Sequence, residues 1–473
     1  MIRRALIMAS MVGLTTSCGS SGDDKPITMS VIADQRADGA VSPLLLATAQ
    51  GLVAFDASGQ IEPALAERWL VTDDGKSIIF RIRDSLWNDG SRVTSQAVAQ
   101  SLNKIIARGS RNRLRPLLTS VEQIIPMTGQ VLEIRLRSPQ PEFLQLLAQP
   151  ELALFKTSPT NGTGPYRIHS ARGNVTRLRP IDPQNSAGEL REREDIRIRR
   201  EPAAIAIARF AGREIALVEG GDFASLPLVR PAGISASQFQ VEPAYGLFGL
   251  AAVGNSKAVA RVNVRRALAM AIDRERLVNI FGVDKWQPQY AVLPNQLDSA
   301  SAPSVLEWVR LTPDQRTARA RDYLADEPAL PVLRVALPPG PGARLLFTAI
   351  AADWRKIGVN AVMVRIGAAA DLRLIDEVAP QRPALWYMLR LSCARGLPCN
   401  DDVESAIEKA TSAPSSAERS RAIADADAAI AADQLYIPLA LPLRWSLVSP
   451  QLTRWRPNAF AVHPLRHLRV GER

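Results

Sequence analysis

Residues 63–104 read PALAERWLVTDDGKSIIFRIRDSLWNDGSRVTSQAVAQSLNK, and the fold is decided there. Residues 66–71 make a short strand that holds Trp69. Asp73-Asp74-Gly75 is a turn, because Gly75 accepts the positive φ that a tight hairpin requires. Ile78, Phe80 and Ile82 alternate with Ile79, Arg81 and Arg83, the period of a half-buried strand. Asn88-Asp89-Gly90 turns the chain again. Thr94 then caps a helix that carries Val98, Leu102 and Ile105 on one face. Hairpin, turn and capped helix form one compact unit.

Two further stretches are as patterned. Asn161-Gly162-Thr163-Gly164-Pro165-Tyr166 places two glycines on a sharp backbone path, and Pro165 stiffens the exit into a strand. No Lys closes that loop and no helix follows it, so it is a structural turn rather than a phosphate cradle. Residues 261–282 read RVNVRRALAMAIDRERLVNIFG. Val264, Ala267, Leu268 and Ala271 give that helix a buried stripe, and Asp273 caps the next one. A strand at 332–337, a helix at 344–357 and a strand at 359–366 form a βαβ unit, which implies a largely parallel sheet covered on both faces. Residues 386–391 read as a further strand, 403–431 as a pair of Ala-rich helices, 171–200 as irregular, and the tail 455–468 as the last strands.

The chain has 473 residues, too many for one ordinary core, so two or three lobes are expected. Its net charge is +11, with arginine spread along the whole length, which describes a solvated surface better than a nucleic-acid footprint. At the N-terminus, Arg3 and Arg4 precede a short apolar core, and Thr15-Thr16-Ser17-Cys18 supplies small residues before a cysteine. Residues 1–17 therefore read as a signal peptide resembling that of a bacterial lipoprotein, with Cys18 the lipidated residue and 18–26 a polar tether. A plain cleaved signal or an uncleaved anchor is the competing reading. Cys393 and Cys399 flank a Gly- and Pro-containing loop, where a local disulfide, two free thiols or a poor zinc site are the choices.

The three patterned stretches resemble the extracytoplasmic solute-binding proteins of the peptide and nickel class, which feed ATP-driven importers. The resemblance rests on Pro63, Leu65-Ala66-Glu67-Arg68-Trp69, Asp74-Gly75, Phe80-Arg81-Ile82-Arg83, Trp87-Asn88-Asp89-Gly90 and Thr94-Ser95-Gln96-Ala97-Val98. Gly162-Thr163-Gly164-Pro165-Tyr166, Val264-Arg265 with Ala267-Leu268 and Ala271-Ile272-Asp273, and Ile357-Gly358-Val359 extend it. It implies an α/β, two-lobed periplasmic-binding-protein-like (type II) fold with an extra subdomain on the first lobe. The first lobe would span 27–245, with the subdomain at 45–160, the second lobe 246–439, and 440–473 would return to the first. It implies a monomer on the extracytoplasmic face of a bacterial membrane that delivers a peptide or other small solute to permease and ATPase subunits, with no cofactor.

Ligand choice is expected where the chain leaves the family pattern. Gln50 stands where many relatives have a cleft-facing Glu. Tyr245 sits at the crossing between lobes, and Trp386 leads into the cysteine loop. Relatives that bind peptides carry Cys-Ala-Asp in that loop, the Asp holding the ligand's ammonium. Here the residues are Cys393-Ala394-Arg395. Arg395 in the cleft would select an anionic or uncharged solute; in a shifted loop it would only be solvated. No nucleophile elbow, zinc helix or P-loop is present. His463 and His467 have i, i+4 spacing, but Pro464 lies between them and no acidic cluster flanks them. An exported hydrolase and a basic polyanion-binding surface protein are the alternatives.

Overall fold

The computed structural model describes residues 26–33, 43–72, 74–157, 161–181, 195–284, 286–295, 297 and 302–468. The expected signal segment, Cys18, all of the tether before residue 26, and Asp73 of the first turn lie outside them.

One sheet has seven strands, in the order Phe239–Val241, Arg444–Val448, Leu217–Asp222, Ile27–Ile32, Ile196–Glu201, Val175–Pro180 and Tyr166–Arg172. Its centre is parallel and its flanks antiparallel. A second sheet has five, in the order Ala361–Arg365, Leu333–Leu337, Leu372–Val378, Gly246–Ala252 and Tyr436–Ala440. The chain passes from the first sheet to the second after Val241 and returns after Ala440. The two strands of the second sheet that adjoin these crossings, Gly246–Ala252 after the first and Tyr436–Ala440 before the return, lie side by side and are buried throughout. Two adjacent crossings are the mechanical condition for a hinge between lobes.

The patterned stretch 63–104 folds as its residues dictate. Ala66–Val71 and Ser77–Ile82 form the hairpin, with Gly75 at φ 66°. Thr94 accepts from the Ala97 amide and caps Ser95–Ile106. Val131–Leu136 and Val121–Thr128 complete a four-stranded antiparallel sheet. Buried Phe80, Trp87, Val98 and Leu102 belong to a core that continues into Tyr387, Met388, Val403 and Ile430. The subdomain thus rests on helices of the second lobe while its chain ends lead into the first. Arg419 adds to that contact by donating to the Pro139 carbonyl at 3.1 Å and to the Ser138 hydroxyl at 2.6 Å.

Gly162 and Gly164 are sterically required. A Cβ on either would stand 2.3 or 2.2 Å from the carbonyl oxygen of Thr48 or Ala47. Asp273 caps Arg274–Asn279 by accepting from the Arg276 amide. The βαβ unit forms as Leu333–Leu337, Pro341–Lys356 and Ala361–Arg365, its strands parallel.

Three expectations are corrected. The stretch expected as a strand at 386–391 is the helix Leu385–Arg390; an apolar run of that length has no period that separates strand from helix. The region expected to be irregular at 171–200 holds the hairpin Tyr166–Arg172 and Val175–Pro180 and the strand Ile196–Glu201. Its arginines alternate with the buried Ile196 and Ile198 rather than interrupting them. The tail forms no strand among the described residues, only a turn at Leu465–His467. There the Asn458 side chain accepts from the amides of Phe460 and Val462 and donates to the Val462 carbonyl, holding the backbone in a loop.

Candidate functional site

The strand Leu217–Asp222 pairs with Ile27–Ile32 up to Val31 opposite Glu219. Its register against Arg444–Val448 shifts between Val218 and Gly221. Gly220 has φ 84°, and a Cβ on Gly221 would lie 2.1 Å from the Trp445 ring. The sequence Glu219-Gly220-Gly221 therefore makes a bulge, a device that re-aims a side chain at a strand end. Glu219 lines a cavity of about 210 Å³ between the two sheets.

Glu242, just beyond Phe239–Val241, lies in the same wall. Its carboxylate accepts from the Asn458 amide at 2.8 Å and stands 2.9 Å from His463 Nε2. His463 tilts against the Trp455 ring, with centroids 4.6 Å apart. The looped tail thus delivers a histidine to a pair of acids. Burial pushes the Glu219 carboxyl up to about 7; the neighbouring His463 opposes the rise and Glu242 adds to it. Burial alone would depress the His463 imidazolium, but the Glu242 hydrogen bond and the charges of both glutamates outweigh it and raise its pKa.

The facing wall belongs to the second sheet. Asp376 is paired with Arg444 of the first sheet at 2.7 Å. Glu377 receives Arg390 on both oxygens, with Nε 2.9 Å from each. A neighbouring cavity of about 420 Å³ shares Arg113, Glu377, Val378 and Pro380 with the first and adds Arg373, Trp386, Arg390 and Arg395. The cleft therefore runs from an acidic base to a mouth rich in arginine.

Of the residues expected at the site, Trp386 and Arg395 line this mouth. Trp386 is buried against Tyr387 in an edge-on contact, whereas Arg395 is exposed and its carbonyl accepts from Arg373. Gln50 instead donates to the Thr163 carbonyl at 2.7 Å and so holds the Gly162–Gly164 loop. Tyr245 lies on the crossing, where its carbonyl accepts from the Ala379 amide at 2.8 Å. The expected disulfide is not formed: Cys393 and Cys399 are free thiols. The turn at Gly396 brings them within hydrogen-bonding distance, and that contact, with burial and the Glu404 charge, pushes the Cys393 thiol up to about 11. His463 and His467 do not converge, since His467 lies 2.8 Å from Glu62.

Glu219, Glu242, Asp376, Arg390 and Arg444 were not singled out from sequence. The Glu-Gly-Gly run is the one local signal for the first, since two glycines at a strand end mark a bulge.

The model of the bacterial extracellular solute-binding proteins, family 5 middle region, matches residues 60–377. The chain belongs to this family. Among curated relatives, the probable deoxycholate-binding periplasmic protein YgiS of Escherichia coli (strain K12) is 30% identical over 121 residues, 22% of this chain and 23% of the relative. The chain thus aligns with about a quarter of the length of the first curated relatives it matches. Across solved structures, the Escherichia coli murein tripeptide binding protein MppA superposes with TM-score 0.78 at 17% identity, over 93% of this chain and 97% of that one. Haemophilus influenzae OppA, in complex with the peptide RPPGFSPFR, gives 0.78 at 14% identity over 94% and 98%. These likenesses carry the two-lobed fold. Family 5 members are binding proteins, and the cleft between the sheets is the place such a fold offers a solute.

Proposed function

We propose that this family 5 protein is the capture component of an ATP-driven importer, closing its lobes on a small solute and handing it to a membrane permease. The reading is supported above all by one arrangement: two side-by-side crossings join sheets whose facing edges enclose a charged cleft. Hinge closure about such crossings buries a solute and presents the closed surface to a partner. Peptide-like solutes fit the charged walls, and relatives named for a murein tripeptide and for a peptide complex share the fold. In this reading the protein works as a monomer on the extracytoplasmic face, tethered through lipidated Cys18. In the same reading the lobes span 27–245 and 246–439, with 440–473 returning, and the crossings after Val241 and Ala440 support these limits. Arg395 and Trp386 contact the solute at the mouth, and an anionic group is placed there by the arginines. Gln50 and Tyr245 shape the walls.

Native mass spectrometry of the protein as purified, before and after partial denaturation, tests this. A co-purified small molecule whose return raises the unfolding midpoint is expected. Absence of any carried solute, with no stabilisation by a panel of peptides, bile acids and metal chelates, would overturn it. Arg395→Asp is expected to weaken that solute; unchanged affinity would remove Arg395 from the site.

A further inference from the structure

Five carboxylates line the cavity at the cleft base: Glu219, Asp222, Glu242, Asp376 and Glu377. Four are satisfied by the protein. Asp222 accepts from the Ser225 amide and hydroxyl. Glu242 holds the Asn458 amide and His463. Asp376 takes Arg444, and Glu377 takes Arg390. Only Glu219 keeps an oxygen, Oε1, buried with no hydrogen-bond partner, on a residue 6% exposed; the Trp455 indole nearby offsets part of the rise in its pKa, yet its Nε1 is itself left without a bond. A buried acceptor left in that state costs about 1–3 kcal/mol, and a cleft open to solutes is where such a cost finds a use.

Charge sharpens the requirement. Glu219 and Glu242 share a single histidine between them. Arg444 is committed to Asp376 across the cleft, and Arg113 to Glu151. At the cavity base, two acids, Glu219 and Glu242, therefore face one imidazole. The Gly220–Gly221 bulge fixes this geometry, because Trp445 occupies the space above Gly221.

We propose that Glu219 is the anchor for a cationic nitrogen of the solute, an ammonium or a guanidinium. Donation to the unpartnered oxygen satisfies the acceptor, and the positive charge balances the second glutamate. The arginine mouth is left for the solute's anionic end, so the cleft selects a dipolar molecule. This rests on the solute-binding reading above. The group is faced by Asp222 on its own strand, by Glu242 and His463 from the first-sheet side, and by the Arg444–Asp376 pair. A carboxyl that burial, with Glu242 adding to it, holds near 7 must ionise fully when the cation docks, so binding at neutral pH releases a proton.

The test uses the full mature chain and matched probes that differ in their sole cationic nitrogen: N-acetyl-L-arginine against N-acetyl-L-citrulline, and trialanine against N-acetyl-trialanine. Calorimetry at pH 7 in two buffers of different ionisation enthalpy reads affinity and proton release together. The cationic member of a pair is expected to bind at least about tenfold more tightly and to release a fraction of a proton. Glu219→Gln is expected to abolish both the preference and the release while leaving the unliganded protein folded. Equal binding of the paired probes, or a preference that survives Glu219→Gln, overturns the anchor and leaves solute binding standing. So does a co-purified solute with no cationic nitrogen, or a liganded crystal structure with only water at Oε1. If no probe binds and no solute is carried, solute binding itself fails and the anchor with it.

Discussion

Arg444 Nη1 lies 2.7 Å from Asp376 Oδ1, and its Nη2 donates to the Asp376 carbonyl at 3.0 Å. Arg444 begins the strand by which the chain re-enters the seven-stranded sheet, and Asp376 sits in the five-stranded sheet opposite Phe248. The pair therefore spans the cleft, close to the return crossing, with both side chains nearly buried. A guanidinium that grips side chain and backbone of one residue fixes both distance and orientation.

Arg444→Met is expected to destabilise the protein by about 3 kcal/mol, because it removes the guanidinium that balances the nearly buried Asp376 carboxylate. The double variant with Asp376→Leu should recover most of that loss, since two apolar groups leave no orphaned charge. Urea unfolding reads the stabilities, and small-angle scattering reads a larger radius of gyration as the lobes part. An unchanged midpoint and radius in Arg444→Met would show that the pair does not hold the lobes.

The acid pair at the cleft base makes stability depend on pH in a definite direction. Glu219 has a folded value near 7 against an ordinary 4.5. The folded state thus holds the proton more tightly, and stability falls as pH rises from about 4.5 to 7. His463, also raised, continues the fall above its ordinary 6.5. Glu219→Gln should remove the first part of that slope and be on the order of 3 kcal/mol more stable than the parent at pH 8, with little difference at pH 4.5. Parallel slopes for variant and parent in thermal unfolding across this range would contradict the buried, uncompensated acid.

The Gly162–Gly164 loop gives a steric prediction. Gly164→Ala places a Cβ 2.2 Å from the Ala47 carbonyl oxygen, with more backbone of Thr48 and Ala49 within 2.5 Å. Nothing there is a flexible side-chain tip, so the strand or the helix Pro43–Thr48 must shift. A loss of roughly 3 kcal/mol or more is expected, read as a drop in the denaturation midpoint. A midpoint equal to the parent's would mean that the close approach is not made.

The sequence made the framework legible wherever local rules coincide with the fold. The Thr94 and Asp273 caps, the Gly75 turn and the parallel βαβ unit all obey neighbours in sequence, and each forms as its residues require. The cleft base was not legible for the opposite reason. Glu219, Glu242 and His463 meet only because the bulge, the first crossing and the looped tail converge from separate parts of the chain. No period or spacing relates them. His463 stood out from sequence for its spacing to His467, yet its partner lies 221 residues away. Residues 386–391 failed differently, since a short buried run satisfies strand and helix equally until its neighbours are placed.

A last prediction concerns Arg274, which is fully buried and makes no ion pair among the described residues. It donates to the carbonyls of Pro438 at 2.7 Å, Ala269 at 3.0 Å and Ile272 at 3.2 Å. Its guanidinium carbon stands 4.9 Å from the Tyr290 ring centre and 5.4 Å from that of Trp308. Burial draws its pKa down to about 10, with nearby Arg316 adding to the fall. Planarity is what the site uses: donors at fixed angles reach the return strand and the end of Val262–Ala271 while the faces stack on aromatics. An ammonium on a flexible stem cannot reproduce this and is harder to dehydrate. Arg274→Lys should therefore cost about 3 kcal/mol or more. Arg274→Met should cost less than Arg274→Lys, since it buries no charge at all. Guanidinium chloride unfolding of the three proteins orders them. If lysine proves equal to arginine, the position needs only positive charge, and the fixed fork of donors plays no part in securing the return crossing.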